Sequence, residues 1–157
     1  MKMKMIMDTT QKTECSYNNP WIFEGTPFTS EMINGHFGFV YMITNLTNGK
    51  KYIGRKYFFN IRKKPGKRKR VRTESNWKEY YGSSDILNED IDDLGKDNFR
   101  RIILSLHKTK GDVNYSEVKE QFCNNVLEDS TFYNSNINGK WHRPPEHIVE
   151  ARKTAWN

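Results

Sequence analysis

Cysteine is scarce in this chain of 157 residues, and the two that occur, Cys15 and Cys123, lie far apart and form no C-x-x-C pair. That argues against a disulfide scaffold, and four histidines (His36, His107, His142, His147) scattered without ligand spacing argue against a structural zinc. Long apolar runs are missing too: nothing approaches the roughly 18 residues that would cross a membrane. Met1 to Met7 leads into the polar stretch Asp8 to Thr13 where a secretory leader would be apolar. The expectation is a protein without membrane contact that is not secreted and stays in the cytoplasm of the cell that makes it. The length suits one domain with a modest core, hence one active site.

Acid is absent from one stretch altogether. Arg62, Lys63, Lys64, Lys67, Arg68, Lys69, Arg70 and Arg72 place eight basic residues among eleven, and the rest of the chain holds 18 basic against 19 acidic residues. The net charge of +7 is therefore one local patch. Such a patch captures a polyanion by releasing condensed counterions, with affinity that falls steeply with salt, and nucleic acid fits best. The aromatics at its two ends, Tyr57, Phe58, Phe59 and Trp77, should anchor this basic loop (residues 62–72) to a core.

Residues 1–20 are polar and aperiodic and read as a flexible N-terminal segment. Trp21 to Ile33 reads as an irregular arm with a helical turn after Thr29. Phe39 to Thr44 and Lys51 to Phe58 form an antiparallel hairpin around the turn Thr47-Asn48-Gly49. Ser83 or Ser84 caps a helix whose apolar positions are Leu87, Ile91 and Leu94 and which Gly95 ends. Phe99 to Leu106 is a third, more buried strand, and Lys108 to Gly111 a turn. Asn114 and Glu117 have capping-box spacing before Val118, Phe122 and Val126, predicting a helix over residues 115–127. A turn-rich tail follows, with a short helix after Pro144-Pro145. The fold class is a small single α/β (α+β) domain over residues 21–157, a three-stranded antiparallel sheet flanked by helices.

Gly38-Phe39-Val40-Tyr41 on the first strand and Tyr52-Ile53-Gly54 on the second carry a resemblance. The sequence is similar to the GIY-YIG nuclease family, with the first signature as GFVY, one residue longer than its three-letter form, and the second intact. Trp77 to Ser84 (WKEYYGSS) adds a likeness to small phage-encoded members of the homing type, and the match spans roughly residues 38–134. The resemblance implies an essential arginine about ten residues after the YIG tyrosine, where Arg62 stands. It also implies a metal-binding glutamate on a later helix, Glu117 or Glu120, and an asparagine after a tyrosine, Asn134 in Tyr133-Asn134. Glu117 is preferred because Glu117-Val118-Lys119 follows the pattern of those small nucleases.

The chemistry of phosphodiester hydrolysis suits these residue types. It needs an attacking water, charge stabilisation at the phosphorane and help for the leaving 3′ oxygen. A tyrosine whose pKa is lowered by a nearby cation can take the proton of water, a role expected for Tyr41, with Tyr52 holding the nucleophile or the phosphate. Arginine spans two phosphate oxygens with its fork. Arg62 is the first choice and Arg55 the second, because alternation puts Arg55 on the strand face opposite Tyr52 and Gly54. Lys56 shares the Tyr52 face as a phosphate contact, and Gly54 lets a phosphate approach without a Cβ in the way. Asn134 is expected to brace the hairpin or the glutamate helix. Mg²⁺ (or Mn²⁺) on Glu117, with Glu120 as the other candidate, would complete its shell from water and phosphate.

The expected function is a metal-dependent DNA endonuclease acting on double-stranded DNA, with a homodimer on the DNA as one route to a double-strand break. A non-catalytic DNA-binding protein and an RNA nuclease are the alternatives.

Overall fold

The computed structural model describes residues 17–156. Most of the expected N-terminal segment, residues 1–16 with Cys15, thus lies outside the described residues. The four that follow are docked: the Tyr17 hydroxyl donates to the Phe28 carbonyl, and Asn19 Nδ2 to the Phe99 carbonyl.

The hairpin forms as its pattern predicts. Strands β3 (Gly38–Asn45) and β4 (Lys51–Tyr57) pair antiparallel, with Tyr41 opposite Gly54 and Ile43 opposite Tyr52. The Asn45 side chain accepts from the Thr47 N–H to shape the turn, and Gly49 takes φ 76°, a left-handed conformation suited to glycine. Strand β7 (Phe99–His107) pairs antiparallel with β3 on its other side, so the expected three-stranded core is present, with β3 in the middle. The sheet nevertheless has five strands. The arm contributes two-residue strands β1 (Ile22–Phe23) and β2 (Thr26–Pro27), and β1 runs parallel to β7 through Ile22 and Ile102, which makes the sheet mixed. Strands this short leave no alternation to detect.

As the middle strand, β3 is covered on both faces. Phe39, Tyr41 and Ile43 face a core that contains Trp21, Phe28, Phe58, Trp77, Leu87 and Ile91, while Val40 joins Ile53, Val126, Leu127 and Ile137 in a second core. Helix α1 (Asp85–Leu94) closes the first core; the Ser84 hydroxyl accepts from the Leu87 N–H and Gly95 ends the helix, as expected. Leu94 is instead exposed at 41%.

Helix α2 (Lys110–Cys123) covers the second core and starts five residues before its expected position. Thr109 caps it by accepting from the Asp112 N–H, so Asn114 and Glu117 do not form a capping box. Its inward stripe is Val113, Glu117 and Gln121, whereas Phe122 is 49% exposed. The apolar spacing Val118, Phe122, Val126 therefore misses the buried stripe, which two polar residues hold: Val118 is only partly buried, and the buried Val126 lies beyond the end of the helix.

The basic segment is not a plain loop. Strands β5 (Phe59–Lys63) and β6 (Arg70–Glu74) pair antiparallel as a two-stranded ribbon separate from the sheet, with residues 64–69 at its tip. Phe58, stacked on Phe28, and Trp77 anchor its root as the flanking aromatics suggest. In the tail, β8 (Asn136–Ile137) pairs with β9 (Trp141–His142), and α3 (Glu146–Ala155) follows the two prolines. No helix among the described residues is long and apolar enough to cross a membrane.

Candidate active site

Strand β4 is the last in its sheet, and an open edge exposes unpaired backbone groups. Residues 131–134 cover it. Lys51 N–H donates to the Thr131 carbonyl, Tyr133 N–H donates to the Lys51 carbonyl, and Asn134 then grips Ile53 with both ends of its amide. Its Oδ1 accepts from the Ile53 N–H at 3.1 Å and its Nδ2 donates to the Ile53 carbonyl at 2.9 Å. The Gln121 amide donates to that same carbonyl. Asn134 thus braces the YIG strand in the middle of its signature.

A cleft of about 550 Å³ opens beside this edge, lined among others by Tyr52, Arg55, Ser83, Asp85, Glu117 and Asn134. Tyr52 lies on the α1 face of β4 and Arg55 on the α2 face, as alternation requires. At an edge strand both faces reach one cleft, so the alternation argument against Arg55 fails. Arg55 Nη1 donates to Glu117 Oε1 at 2.6 Å, and its Nε donates to the Tyr57 hydroxyl, which in turn donates to Asn114 on α2.

Arg62, the first-choice arginine, is elsewhere. It is exposed on the ribbon opposite Val71 and does not line the cleft. Glu120 likewise points away from the cleft, with Oε2 accepting from the Asn124 amide. Lys56 shares the Tyr52 face, but its ammonium donates to Asn76 Oδ1 and sits 4.1 Å from the Tyr80 ring centroid.

Tyr41 is fully enclosed, at 1% exposure. A register shift between Val40 and Tyr41 in the pairing with β7 marks a bulge at this point, a device that re-aims a side chain. Its hydroxyl lies over Gly54, where a Cβ would fall 2.7 Å from Tyr41 Cζ and 2.9 Å from Tyr52 Cε1. Gly82, at φ +88°, closes the other side, 3.3 Å from the same hydroxyl if it bore a Cβ. Gly54 therefore makes room for a tyrosine, which differs from the expected approach of a phosphate. Burial pushes the Tyr41 pKa well above the ordinary phenol value, and the neighbouring Tyr52, Tyr80 and Glu117 push the same way. The expected lowering is not supplied by any side chain here. Tyr52, hydrogen-bonded to Ser83 at 3.3 Å, is also raised by burial. Burial raises Glu117 in turn, with Arg55 offsetting only part.

The order of these parts decides the family. A family described as "Putative endonuclease segE, GIY-YIG domain" matches residues 21–137, about three quarters of the chain. The chain belongs to the GIY-YIG family. It is accordingly a nuclease. No curated protein and no solved structure was found to match it. Within this GIY-YIG domain the two signature tyrosines stand together, with ring centroids 6.2 Å apart, and the glutamate and asparagine both contact the second signature strand, at Arg55 and Ile53.

Sequence reasoning missed three supports of the site. Asp85, at the start of α1, adds a second carboxylate to the cleft wall. Arg143 donates to the carbonyls of Val126, Asp129, Phe132 and Asn134 and so holds the segment that carries Asn134. Arg101, 1% exposed between the Trp21 and Tyr81 rings, donates to the carbonyls of Asn19, Lys78 and Tyr80 and ties the arm to the loop before Gly82. Alternation along Phe99–Ile103, which puts Arg101 on the face of Phe99 and Ile103, was the available signal for Arg101.

Proposed function

We propose that this GIY-YIG nuclease is a metal-dependent endonuclease that hydrolyses phosphodiester bonds in double-stranded DNA. The observation that carries the reading is the convergence on one cleft of Tyr52 and Arg55, from an edge strand that runs on into the basic ribbon, with Glu117 of α2.

The donor set suits Mg²⁺ or Mn²⁺. Glu117 and Asp85 line the cleft, and no group of three His, Cys, Asp or Glu residues among the described residues forms a self-sufficient metal cage. Few protein oxygens are what an ion needs when it takes the rest of its shell from water and phosphate. Glu117 would hold it, and when bound it would supply a polarised phosphate and a more acidic water. Arg55 neutralises charge building on the non-bridging phosphate oxygens with its planar fork. Tyr52 presents its hydroxyl to the attacking water and orients it toward phosphorus, and Tyr41, out of reach of the cleft, holds Tyr52 and Gly54 in place as a neutral phenol. Water forms the new P–O bond, the bond to the 3′ oxygen breaks, that oxygen takes up a proton, and the water's proton passes to solvent. Asn134 keeps the strand straight beneath these groups.

One cleft cuts one strand, so a double-strand break would need a second copy or a second visit. Supercoiled plasmid and a matched RNA duplex, each incubated with Mg²⁺ and with chelator, test the reading. Relaxation of the plasmid in Mg²⁺ alone, with intact RNA, is expected. Binding without cleavage in any divalent ion would favour a non-catalytic DNA-binding protein, and cleavage confined to RNA would move the substrate.

A further inference from the structure

The β5–β6 ribbon has two faces of different chemistry. Residues directly opposite each other share a face, so Phe59, Ile61, Lys63, Arg70, Arg72 and Glu74 lie on one and Asn60, Arg62, Val71 and Thr73 on the other. Every residue from Asn60 to Arg70 is exposed, and no other element pairs with either strand. A free two-stranded ribbon is marginal in water, and this one also sets Lys63 directly opposite Arg70, a like-charge pair that costs stability. A polyanion removes that cost.

The first face is committed near its root: the Arg72 guanidinium lies 3.6 Å from the Phe59 ring centroid, and Glu74 accepts from the Trp77 indole and the Ser30 hydroxyl. The second face carries an amide, a guanidinium, a hydroxyl and methyl groups with no committed partner of that kind. Those are the groups that read base edges: arginine on guanine O6 and N7, asparagine on adenine N6 and N7, and methyls against thymine. The basic tip, Lys64, Lys67, Arg68 and Lys69, supplies phosphate contacts that position without specifying.

We propose that this ribbon lies in the DNA major groove with Asn60, Arg62, Val71 and Thr73 on the base edges, and that it sets the sequence preference of the cut. The proposal rests on the DNA reading above. A major groove about 12 Å wide admits a two-stranded ribbon and a minor groove of about 6 Å does not. The deep, narrow major groove of duplex RNA is closed to it, so the ribbon also discriminates against RNA. Because β4 runs on into β5, Lys63 lies nine residue steps beyond Gly54. At about 3.3 Å each they reach at most roughly 30 Å. The bases read fall within about one helical turn, on one side of the cut.

The test is sequencing of a random duplex pool, both the fraction retained by the full chain in chelator and the ends it produces in Mg²⁺. The expected result is a preference for particular bases at a few positions within about ten base pairs on one side of the cut. The Asn60→Ala, Arg62→Ala double variant should lose that preference, by about 5- to 150-fold for each contact removed. Ile61→Ala, on the other face, should keep it. Replacing guanine by 7-deazaguanine, which lacks the major-groove N7, should reproduce the loss in the wild-type protein. Melting temperatures of the variants should match the wild type, since the altered side chains are exposed. A double variant with the wild-type preference, or indifference to 7-deazaguanine, would overturn the proposal. Retention of selected sequences without any cut ends would support the ribbon and strike the nuclease activity, whereas failure to retain any duplex would overturn both.

Discussion

Arg55 on the edge strand β4 and Glu117 on the inward face of α2 meet at 2.6 Å, the arginine side chain at 34% exposure and the glutamate at 10%. The pair joins the second signature strand to the helix behind it and sets the positive charge of the cleft beside its most buried carboxylate. A nucleic-acid phosphate entering there would meet a guanidinium already held in place by Glu117 and the Tyr57 hydroxyl.

Arg55→Lys should therefore lower kcat by about 10²- to 10³-fold with little change in KM, because a point charge replaces a fork at the developing phosphorane. Arg62→Ala should leave kcat on plasmid near the wild-type value. Single-turnover cleavage at saturating enzyme separates the two. A dead Arg62→Ala beside an active Arg55→Lys would move the catalytic cation to the ribbon.

Gly54→Ala places a Cβ against the Tyr41 and Tyr52 rings, and Tyr41 is packed on Trp21 and Phe39 with no room to withdraw. The expected cost is about 1–3 kcal/mol of unfolding free energy, as for other overpacked cores, together with a large loss of cleavage. Urea unfolding and plasmid cleavage measure both. An alanine variant of normal stability and normal activity would show that the hydroxyl of Tyr41 does not need its place over Gly54.

Much of this architecture is legible in the sequence because its signals are local. The Asn-Gly turn and the apolar strands mark β3 and β4, and Ser84 and Gly95 bracket α1. The inward stripe of α2 misleads because it is mostly polar: Glu117 and Gln121 sit where an apolar stripe would carry leucine, so amphipathicity points to Val118 and Phe122. That Arg55 and not Arg62 lines the cleft was hidden for a topological reason. Alternation assigns the faces of a strand correctly, but no residue pattern announces that β4 is an edge. The ribbon was hidden by its own charge density, which reads as a solvated loop although Phe59, Asn60, Ile61 and Arg62 alternate.

The raised pKa of Glu117 has a consequence for pH. A carboxyl whose folded pKa exceeds its unfolded value, about 4.3 for glutamate, contributes stability that is full below the unfolded value and lost as pH rises through the folded one. In chelator, the melting temperature of the wild type minus that of Glu117→Gln should fall as pH rises through this window. Cleavage should rise over the same window, since only the carboxylate holds a cation, and more Mg²⁺ should draw the acid limb to lower pH because metal and proton compete for the same oxygens. A difference that is flat with pH, or an acid limb indifferent to Mg²⁺, would contradict the assignment.

The central claim is that Glu117 is the carboxylate that holds the catalytic cation, and a Mg²⁺ titration of plasmid cleavage by Glu117→Gln beside Glu120→Gln tests it most directly. Glutamine keeps the size of the side chain and an accepting oxygen for Arg55 but removes the charge. The account predicts that Glu117→Gln loses at least about a hundredfold in cleavage at every Mg²⁺ concentration, while retaining duplex DNA as well as the wild type does or better, and that Glu120→Gln cuts normally. Cleavage at the wild-type rate by a folded Glu117→Gln would remove α2 from the metal site and contradict the mechanism.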